Sequence, residues 1–177
     1  NPEGEYVQLT GNQVGTLLGH YLLTEGPKGD RIALASIVSS PQLGTIAKTM
    51  GVRYEETLTG FKWIANRAME LERETGARFV FGYEEALGYT VGPLVRDKDG
   101  IGAAVILAEL AAVRKAEGKN LRQALDDLSR QYGLFVSGQT SLTMPGADGV
   151  AKIKELMVGL RGKTPEVIGG LAVESIS

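Results

Sequence analysis

The amino-acid sequence predicts an α/β fold, in which helices flank a mostly parallel sheet in a layered domain, followed by the truncated start of a second α/β domain. From residue 11 to Gly76, short apolar strand segments alternate with amphipathic helical segments, which is typical of layered folds with parallel strands. After Gly133 the alternation is interrupted and a new β-α-β pattern begins. Glycine makes up 24 of the 177 residues, which favours many tight loops.

Alternation of apolar and polar residues, together with helix-capping residues, predicts the strands and helices in the first half of the chain. Residues 6–9 alternate weakly and predict a short strand. Thr10 or Asn12 is placed to cap the helix that follows, in which apolar residues recur at helical spacing from Val14 to Leu22. The next segments continue in the order strand 32–38, helix 41–51, strand 52–58, helix 61–74 and strand 79–83.

The second half of the chain is predicted to contain two helices, followed by a change in the secondary-structure pattern. The apolar, alanine-rich segment 101–115 predicts a helix that packs on more than one side, and segment 121–132 predicts a helix with leucines on one face. Beyond Gly133 we predict strand 134–144, helix 151–160 and strand 169–176. This last part is expected to open another domain.

Composition excludes several classes of function. The formal net charge of -2 argues against nucleic acid or an anionic membrane as a partner, because both attract basic surfaces. The chain has no cysteine, which excludes disulfides, thiolate catalysis and cysteine-ligated metals, and we expect a cytoplasmic protein. No apolar run reaches the roughly 18 residues of a membrane-spanning helix. The single histidine, His20, has no metal or triad partner in the sequence, and we interpret it as structural.

Two adjacent carboxylates follow the predicted strand 79–83 and open a glycine-rich loop over residues 84–92. Ligands of open α/β sheets bind beyond the carboxyl ends of the strands, and Glu84 and Glu85 are predicted to lie at such an end. Carboxylates accept hydrogen bonds in pairs, which suits the neighbouring hydroxyls of a sugar. From the residues alone, a solvated acidic turn or one paired with Arg96 or Lys98 remains an equal alternative.

A lysine occupies an uncommon position after the preceding strand. Lys62 lies in the first turn of the predicted helix 61–74, where the helix dipole disfavours a cation. Backbone N–H groups at a helix start favour anions, so a lysine here would suit a phosphate or a polyhydroxyl ligand. The alternative is an exposed surface lysine. If the strands are parallel neighbours, Lys62 and Glu84 lie at the same rim of the sheet.

Three motifs follow one another along the chain. They are Thr59-Gly60-Phe61-Lys62, then Gly82-Tyr83-Glu84-Glu85-Ala86-Leu87-Gly88-Tyr89, then Arg96-Asp97-Lys98-Asp99-Gly100. In order and spacing they resemble the third domain of the α-D-phosphohexomutases, the phosphoglucomutase/phosphomannomutase superfamily. The segment Asn12-Gln13-Val14-Gly15 is similar to that family's junction between the second and third domains. The resemblance covers nearly the whole chain.

The resemblance implies an enzyme of four domains that moves a phosphate between C1 and C6 of a hexose through a bisphosphate intermediate. In this family the first domain carries a phosphoserine, the second a magnesium loop, the third the sugar-gripping loop and the fourth a phosphate-binding loop. By resemblance, Glu84 matches the main sugar-binding glutamate, Glu85 follows it, and Lys62 matches a lysine that faces the substrate. Arg96 and Lys98 match the charged segment that closes the loop.

The resemblance also implies a division of the chain. Residues 1–10 would be the tail of a preceding domain, residues 11–137 the sugar-recognition domain, and residues 138–177 the truncated start of a C-terminal domain. The phosphoserine, magnesium and phosphate-loop motifs do not occur in this sequence. We therefore expect the chain to bind a sugar phosphate without a catalytic residue or metal ligand of its own. Mg²⁺ and the other domains of the same polypeptide are expected in the full-length enzyme.

The glutamate loop departs from the commonest family form, Gly-Glu-x-Ser-Gly. Ala86 stands at the serine position, which removes one hydroxyl contact. The form Glu-Glu-Ala-x-Gly-Tyr is similar to the branch that contains phosphopentomutases and sugar-bisphosphate synthases. Glucose, mannose and pentose phosphates therefore stay open as substrates. A non-catalytic carbohydrate or nucleotide-sugar binding module on a similar scaffold is the alternative function, because fold does not settle function.

Overall fold

The computed structural model describes residues 6–138, 141–163 and 165–173. The chain forms two compact units, with the boundary between Ser137 and Gly138. Residues 1–5, half of the predicted N-terminal tail, lie outside the described residues. No helix in the described part of the chain is both long and apolar enough to cross a membrane.

Over residues 6–137, the first unit is a four-stranded sheet with five helices around it, which confirms the predicted α/β fold. Its elements are α1 (Gly11–Glu25), β1 (Arg31–Ser36), α2 (Gln42–Thr49), β2 (Arg53–Thr57), α3 (Phe61–Thr75), β3 (Arg78–Glu84), β4 (Gly88–Val91), α4 (Gly100–Ala116) and α5 (Leu121–Tyr132). The strand order is β2-β1-β3-β4, in which β1 is parallel to β2 and β3, and β4 is antiparallel to β3. The three parallel strands therefore end at one edge of the sheet.

The helices cover both faces of the sheet. On one face, α1 and α2 bury apolar residues such as Leu18 and Leu43 against the sheet. On the other face, α3 buries Phe61 and Ile64 against β1 and β3. The capping residues act as the sequence predicts: Thr10 forms a capping box at the start of α1, and the helix α3 ends at a left-handed glycine.

Helix α1 approaches β3 unusually closely because one of its faces consists of glycines. At Gly15 a Cβ atom would overlap the ring of Tyr83, and at Gly19 it would overlap Leu43. At Gly11 it would overlap the backbone carbonyl of Glu85. The spacing of four residues places these glycines on a single helical face. The start of α1 is thereby held directly against the segment that follows β3.

A β-bulge in β3 decides which way its last residues point. Ile32 of β1 pairs with Phe79, but the next residue of β1 pairs with Phe81, so the register shifts at Val80. Phe79 packs on the α3 face, whereas Val80 and Phe81 both pack on the face of α1 and α2. The extra residue reverses the alternation of every residue that follows it in the strand.

Three expectations for the first unit are wrong. Residues 6–9 are not a strand, because none of the described strands pairs with them. The predicted loop 84–92 contains β4, which pairs with β3 and buries Tyr89 and Thr90. Helix α4 contacts α1, α5 and β4 but does so with one face, on which Ala103 and Leu110 are buried, whereas Val105 on the opposite face is 61% exposed. Alanine-rich composition indicated helix correctly but could not indicate which face is covered.

In its described residues, 138, 141–163 and 165–173, the second unit contains one helix and one hairpin. Helix α6 (Gly146–Gly162) is longer than the predicted helix 151–160. Strands β5 (Val167–Ile168) and β6 (Leu171–Ala172) pair in antiparallel fashion. The predicted strand 134–144 is wrong for its described residues, 134–138 and 141–144, which have no strand partner. The end of the predicted strand 169–176 lies outside the described residues.

Candidate sugar-binding site

Loops from all three parallel strands meet at the carboxyl edge of the sheet. These strands end at Ser36, Thr57 and Glu84. Ligands of open α/β sheets bind at this edge, because the loops there can vary while the strands hold them in place. The two glutamates join the loops to one another through hydrogen bonds, and each glutamate reaches a different loop.

Glu84 is the last residue of β3 and is directed to the α3 side. Its Oε1 atom accepts a hydrogen bond from the backbone N–H of Gly60, which caps the start of α3. Gly60 has φ 118°, a conformation that favours glycine, and Glu84 is only 5% exposed. The carboxylate satisfies a backbone donor that would otherwise lack a partner within the helix. Glu84 therefore connects the hairpin of strands β3 and β4 to the segment that carries Lys62.

Glu85 is directed to the opposite side of the sheet, and its carboxylate is only partly buried. Its Oε2 atom accepts hydrogen bonds from Ser36 Oγ at 3.2 Å and from Ser39 Oγ at 3.4 Å. The backbone N–H of Glu85 donates to the same Ser39 Oγ at 3.1 Å. Consecutive residues of a strand point to opposite faces, so the two glutamates have different partners.

Two lysines of the segments that adjoin Glu84 each lie against an aromatic ring. Lys62 Nζ is 5.4 Å from the ring centroid of Trp63, and Lys98 Nζ is 4.9 Å from that of Phe61. The Phe61 ring also packs against Gly88, and a Cβ atom there would lie 3.4 Å from Glu84 Oε2. Cation–π contact holds an ammonium group without neutralising it. Lys98 Nζ also lies 3.7 Å from Asp97 Oδ1, which offsets part of its charge. The two lysines bring positive charge to the segments that adjoin Glu84.

Arg96 lies apart from the other predicted site residues. Its guanidinium contacts the Met69 sulfur in the middle of α3, and it borders a small groove together with Glu72 and Thr90. The structure thus brings Glu84, Lys62 and Lys98 to one rim, with Glu85 beside Glu84, and leaves Arg96 further along α3. Among the described residues, neither Arg96 nor Lys98 forms an ion pair with Glu84 or Glu85.

A group of polar residues at this edge was not singled out from the sequence as part of the site. Besides Ser36 and Ser39, it includes Asn12, whose Oδ1 accepts from the backbone N–H of Ser40 at 2.8 Å and from the Tyr83 hydroxyl at 3.2 Å. Burial raises the pKa of Tyr83, so its phenol stays protonated and available as a donor. Serines that directly follow an apolar strand are the sequence signal that could have indicated this group.

The hairpin between β3 and β4 has a strained tip. Leu87 has φ 60°, in the left-handed region, and its side chain is 61% exposed. Gly88 follows it and packs directly on Phe61. The strained tip lies between the two glutamates and the first buried residues of β4. Strain that persists at such a position is typical of functional loops.

Metal ligands are not grouped in the described part of the chain. Nowhere among these residues do three or more histidine, aspartate or glutamate side chains converge in a way that could hold an ion. The glutamates at the rim are instead engaged by backbone and hydroxyl donors. The arrangement is suited to accept and donate hydrogen bonds to a polyhydroxyl ligand and to attract an anion.

The chain is similar in sequence to proteins named as mutases. The chain is 40% identical over 176 residues to a phosphoglucomutase of Staphylococcus epidermidis, covering 98% of this chain and 32% of that protein. It is 37% identical over 183 residues to a phosphopentomutase of Pongo abelii, covering 98% of this chain and 30% of that protein. The chain therefore spans about a third of the length of the curated relatives it matches.

A solved structure shares the fold. A crystal structure from Thermus thermophilus, named provisionally as a phosphomannomutase, superposes with a TM-score of 0.59 at 26% identity and covers 71% of this chain and 26% of that one. Residues 10–132 match the phosphoglucomutase/phosphomannomutase family, α/β/α domain III. The chain belongs to the phosphoglucomutase/phosphomannomutase family, and its larger unit is the third domain of that family.

Proposed function

We propose that this chain is the sugar-binding domain of a phosphosugar mutase, an isomerase that interconverts hexose 1-phosphate and hexose 6-phosphate. The observation that carries the proposal is the pair of glutamates at the carboxyl edge of the sheet, with Lys62 and Lys98 on the adjoining segments. Carboxylates are acceptors for sugar hydroxyls, and ammonium groups attract phosphate. The chain would thus recognise both parts of a sugar phosphate.

In the proposed full-length enzyme, this domain supplies position and charge. Glu84 and Glu85 would keep the sugar in place while its phosphate is transferred, and Lys62 and Lys98 would offset the charge of the phosphoryl group. The phosphoserine, the phosphate-binding loop and Mg²⁺ would belong to other domains of the same polypeptide. Arg96 would join the site only if its segment moves toward the rim on ligand binding. A cytoplasmic location, without a nucleic-acid or membrane partner, is part of the proposal.

A pentose phosphate is the second candidate substrate. The phosphopentomutase of Pongo abelii is nearly as similar to this chain as the phosphoglucomutase of Staphylococcus epidermidis. Ala86 also lacks the hydroxyl of the commonest hexose loop. A shorter sugar would need fewer hydroxyl contacts at the rim. Comparison of glucose 1-phosphate, mannose 1-phosphate and ribose 1-phosphate as ligands would separate these substrates.

The proposal is tested by titrating the 177-residue chain with each sugar phosphate and following backbone amide signals by NMR. We expect shifts centred on residues 59–62, 84–88 and 97–98, and no such pattern with inorganic sulfate alone. Lys62→Ala should weaken binding about tenfold, the effect of one charge-assisted contact. Lys48→Ala, in the last turn of α2, is the matched control and should change nothing.

Activity is the second arm of the test. In the natural protein that contains this segment, Lys62→Ala should lower kcat/KM for the preferred sugar phosphate while Lys48→Ala does not. A full-length protein that binds sugars but turns over no sugar phosphate would favour a non-catalytic carbohydrate-binding module. Unchanged binding and turnover in the Lys62 variant would show that Lys62 does not contact the ligand, and unchanged binding in a Glu85→Ala variant as well would exclude the rim as the site.

A further inference from the structure

Two serines at the end of β1 hold one oxygen of Glu85. Ser36 is the last residue of β1, the central strand of the three parallel ones, and is 1% exposed. Its Oγ lies 2.7 Å from Ser39 Oγ. Both hydroxyls also lie within hydrogen-bond distance of Glu85 Oε2, at 3.2 Å and 3.4 Å. A buried pair of hydroxyls thus contacts a single carboxylate oxygen.

The two serine hydroxyls have few alternative hydrogen-bonding arrangements. Each serine has one proton to donate, and Ser39 Oγ already accepts the backbone N–H of Glu85. Two hydroxyl protons therefore serve three contacts: either one serine donates to the other, which donates to Oε2, or both donate to Oε2. In either case Oε2 accepts at least one hydrogen bond. The donors to this carboxylate from the described part of the chain all use Oε2. Oε1 therefore remains able to accept a hydrogen bond from a ligand.

We propose that Ser36 and Ser39 are positioning residues, which orient Glu85 so that Oε1 accepts one particular hydroxyl of the bound sugar. This inference rests on the proposed function and names a specificity element within it. A free glutamate side chain loses rotational entropy when it binds a ligand, whereas a side chain already held by the fold loses less. Ser36 is well suited to this because the sheet holds its backbone, and Ser39 lies in the following turn, where its backbone N–H donates to the carbonyl of Ser36 at 2.9 Å.

Glu84 and Glu85 then have separate tasks. Glu84 is buried and its Oε1 accepts the N–H of Gly60, so besides its part in the site it fixes the hairpin of β3 and β4 to α3. Glu85 is only partly buried and is oriented by side-chain hydroxyls. The oriented Oε1 selects among sugars by the position and direction of one hydroxyl. For a ligand that lacks that hydroxyl, substitution of either serine should not change the binding affinity.

The test measures Kd for glucose 1-phosphate and for its 2-deoxy, 3-deoxy and 4-deoxy analogues, with the 177-residue chain and with the natural protein that contains it. Ser39→Ala should weaken binding of glucose 1-phosphate by about tenfold, equivalent to one hydrogen bond to a charged group. For one of the deoxy analogues the same substitution should have no effect. In the catalytically active protein, Ser39→Ala should raise KM for glucose 1-phosphate and leave KM for that analogue unchanged.

Matched variants separate positioning from folding. Ser39→Thr retains the hydroxyl and should restore most of the affinity, and Ser36→Ala should reproduce the same dependence on one hydroxyl. Ser129→Ala, which removes a serine hydrogen bond in α5, should leave all four affinities unchanged. If Ser39→Ala does not fold, Ser36→Ala and Ser39→Cys carry the same comparison. A serine effect that is equal for glucose 1-phosphate and all three analogues would overturn the inference.

The inference and the proposed function can fail separately. If Glu85→Ala weakens binding but neither serine variant does, the serines do not position Glu85, although the sugar site stands. If Glu85→Ala and Ser39→Ala each weaken binding and their double variant is no weaker than Glu85→Ala, the serines act through Glu85, as proposed. If neither Glu85→Ala nor Lys62→Ala changes binding of any sugar phosphate, the proposed function itself falls, and this inference with it.

Discussion

The carboxylate of Glu84 accepts the backbone N–H of Gly60 and thereby joins the end of β3 to the start of α3. The two residues are 24 positions apart in the chain. Their contact brings the hairpin of β3 and β4, the turn before Lys62 and the ring of Phe61 into one small region at the carboxyl edge of the sheet. The same side chain is therefore part of the fold and part of the candidate site.

Glu84→Ala should lower both stability and ligand affinity. The substitution leaves the N–H of Gly60 without its acceptor, which costs about 1–3 kcal/mol of unfolding free energy. Glu84→Gln retains an acceptor oxygen and should therefore lose less unfolding free energy than Glu84→Ala. Urea unfolding of the 177-residue chain measures the stability, and kcat/KM of the natural protein should fall at least about tenfold for Glu84→Ala. A urea midpoint equal to that of the wild type would show that Glu84 does not stabilise the start of α3.

Gly15→Ala should destabilise the chain although alanine favours helices. Alanine gains about 1 kcal/mol in helix propensity, but its Cβ would overlap the Tyr83 ring in a packed core, and overpacking costs about 1–3 kcal/mol. We therefore expect a net loss of stability in thermal or urea unfolding. Gly159→Ala in α6 is the control, because a Cβ there meets no other atom within 4 Å. An equally stable Gly15→Ala variant would contradict the close packing of α1 on β3.

His20 should make the stability of the chain depend on pH. Burial, and to a lesser degree the charge of Arg114, lowers the pKa of His20 below its ordinary value of 6.5, while Glu25 opposes this. The unfolded chain then binds a proton more readily than the folded chain, so stability is fully present above pH 6.5 and falls as the pH drops below it. Because it is the single histidine, NMR can follow its titration directly.

The control for this pH dependence is His20→Gln. That variant should lose the decrease in stability just below pH 6.5 and retain only the acid unfolding caused by carboxylates. His20 also packs edge-on against Tyr132, with ring centroids 5.7 Å apart, so some stability should be lost at every pH. A measured pKa at or above 6.5 in the folded chain would show that the environment does not favour neutral imidazole.

Leu87→Asn should stabilise the hairpin. Leu87 has φ 60°, and a bulky residue in this region costs about 1 kcal/mol that asparagine largely avoids. Its side chain is mostly exposed, so little packing is lost. We expect a gain of up to about 1 kcal/mol in unfolding free energy, and a loss for Leu87→Val because β-branched residues tolerate positive φ poorly. If both variants lower stability equally, the side chain of Leu87 contributes through contact and the backbone is unstrained.

The sequence by itself determined the layered α/β fold and the placement of the two glutamates. Alternating apolar strands and amphipathic helices are local patterns, and they largely specify a parallel sheet once the connections are helical. Parallel strands end at one edge, so residues that directly follow them must meet there. Glu84, Glu85 and the turn before Lys62 could therefore be assigned to one rim without coordinates. The helix termini followed from Thr10 and Gly76 for the same local reasons.

Only the tertiary structure decided which glutamate faces which loop. In a regular strand counted from Phe79, Glu84 would point to the side of α1 and Glu85 to the side of α3. The bulge at Val80 adds one residue to β3 and exchanges the two. A bulge depends on the register between strands that are distant in sequence, so no local pattern reveals it. The contacts of Glu84 with Gly60, and of Glu85 with Ser36 and Ser39, follow from that shift.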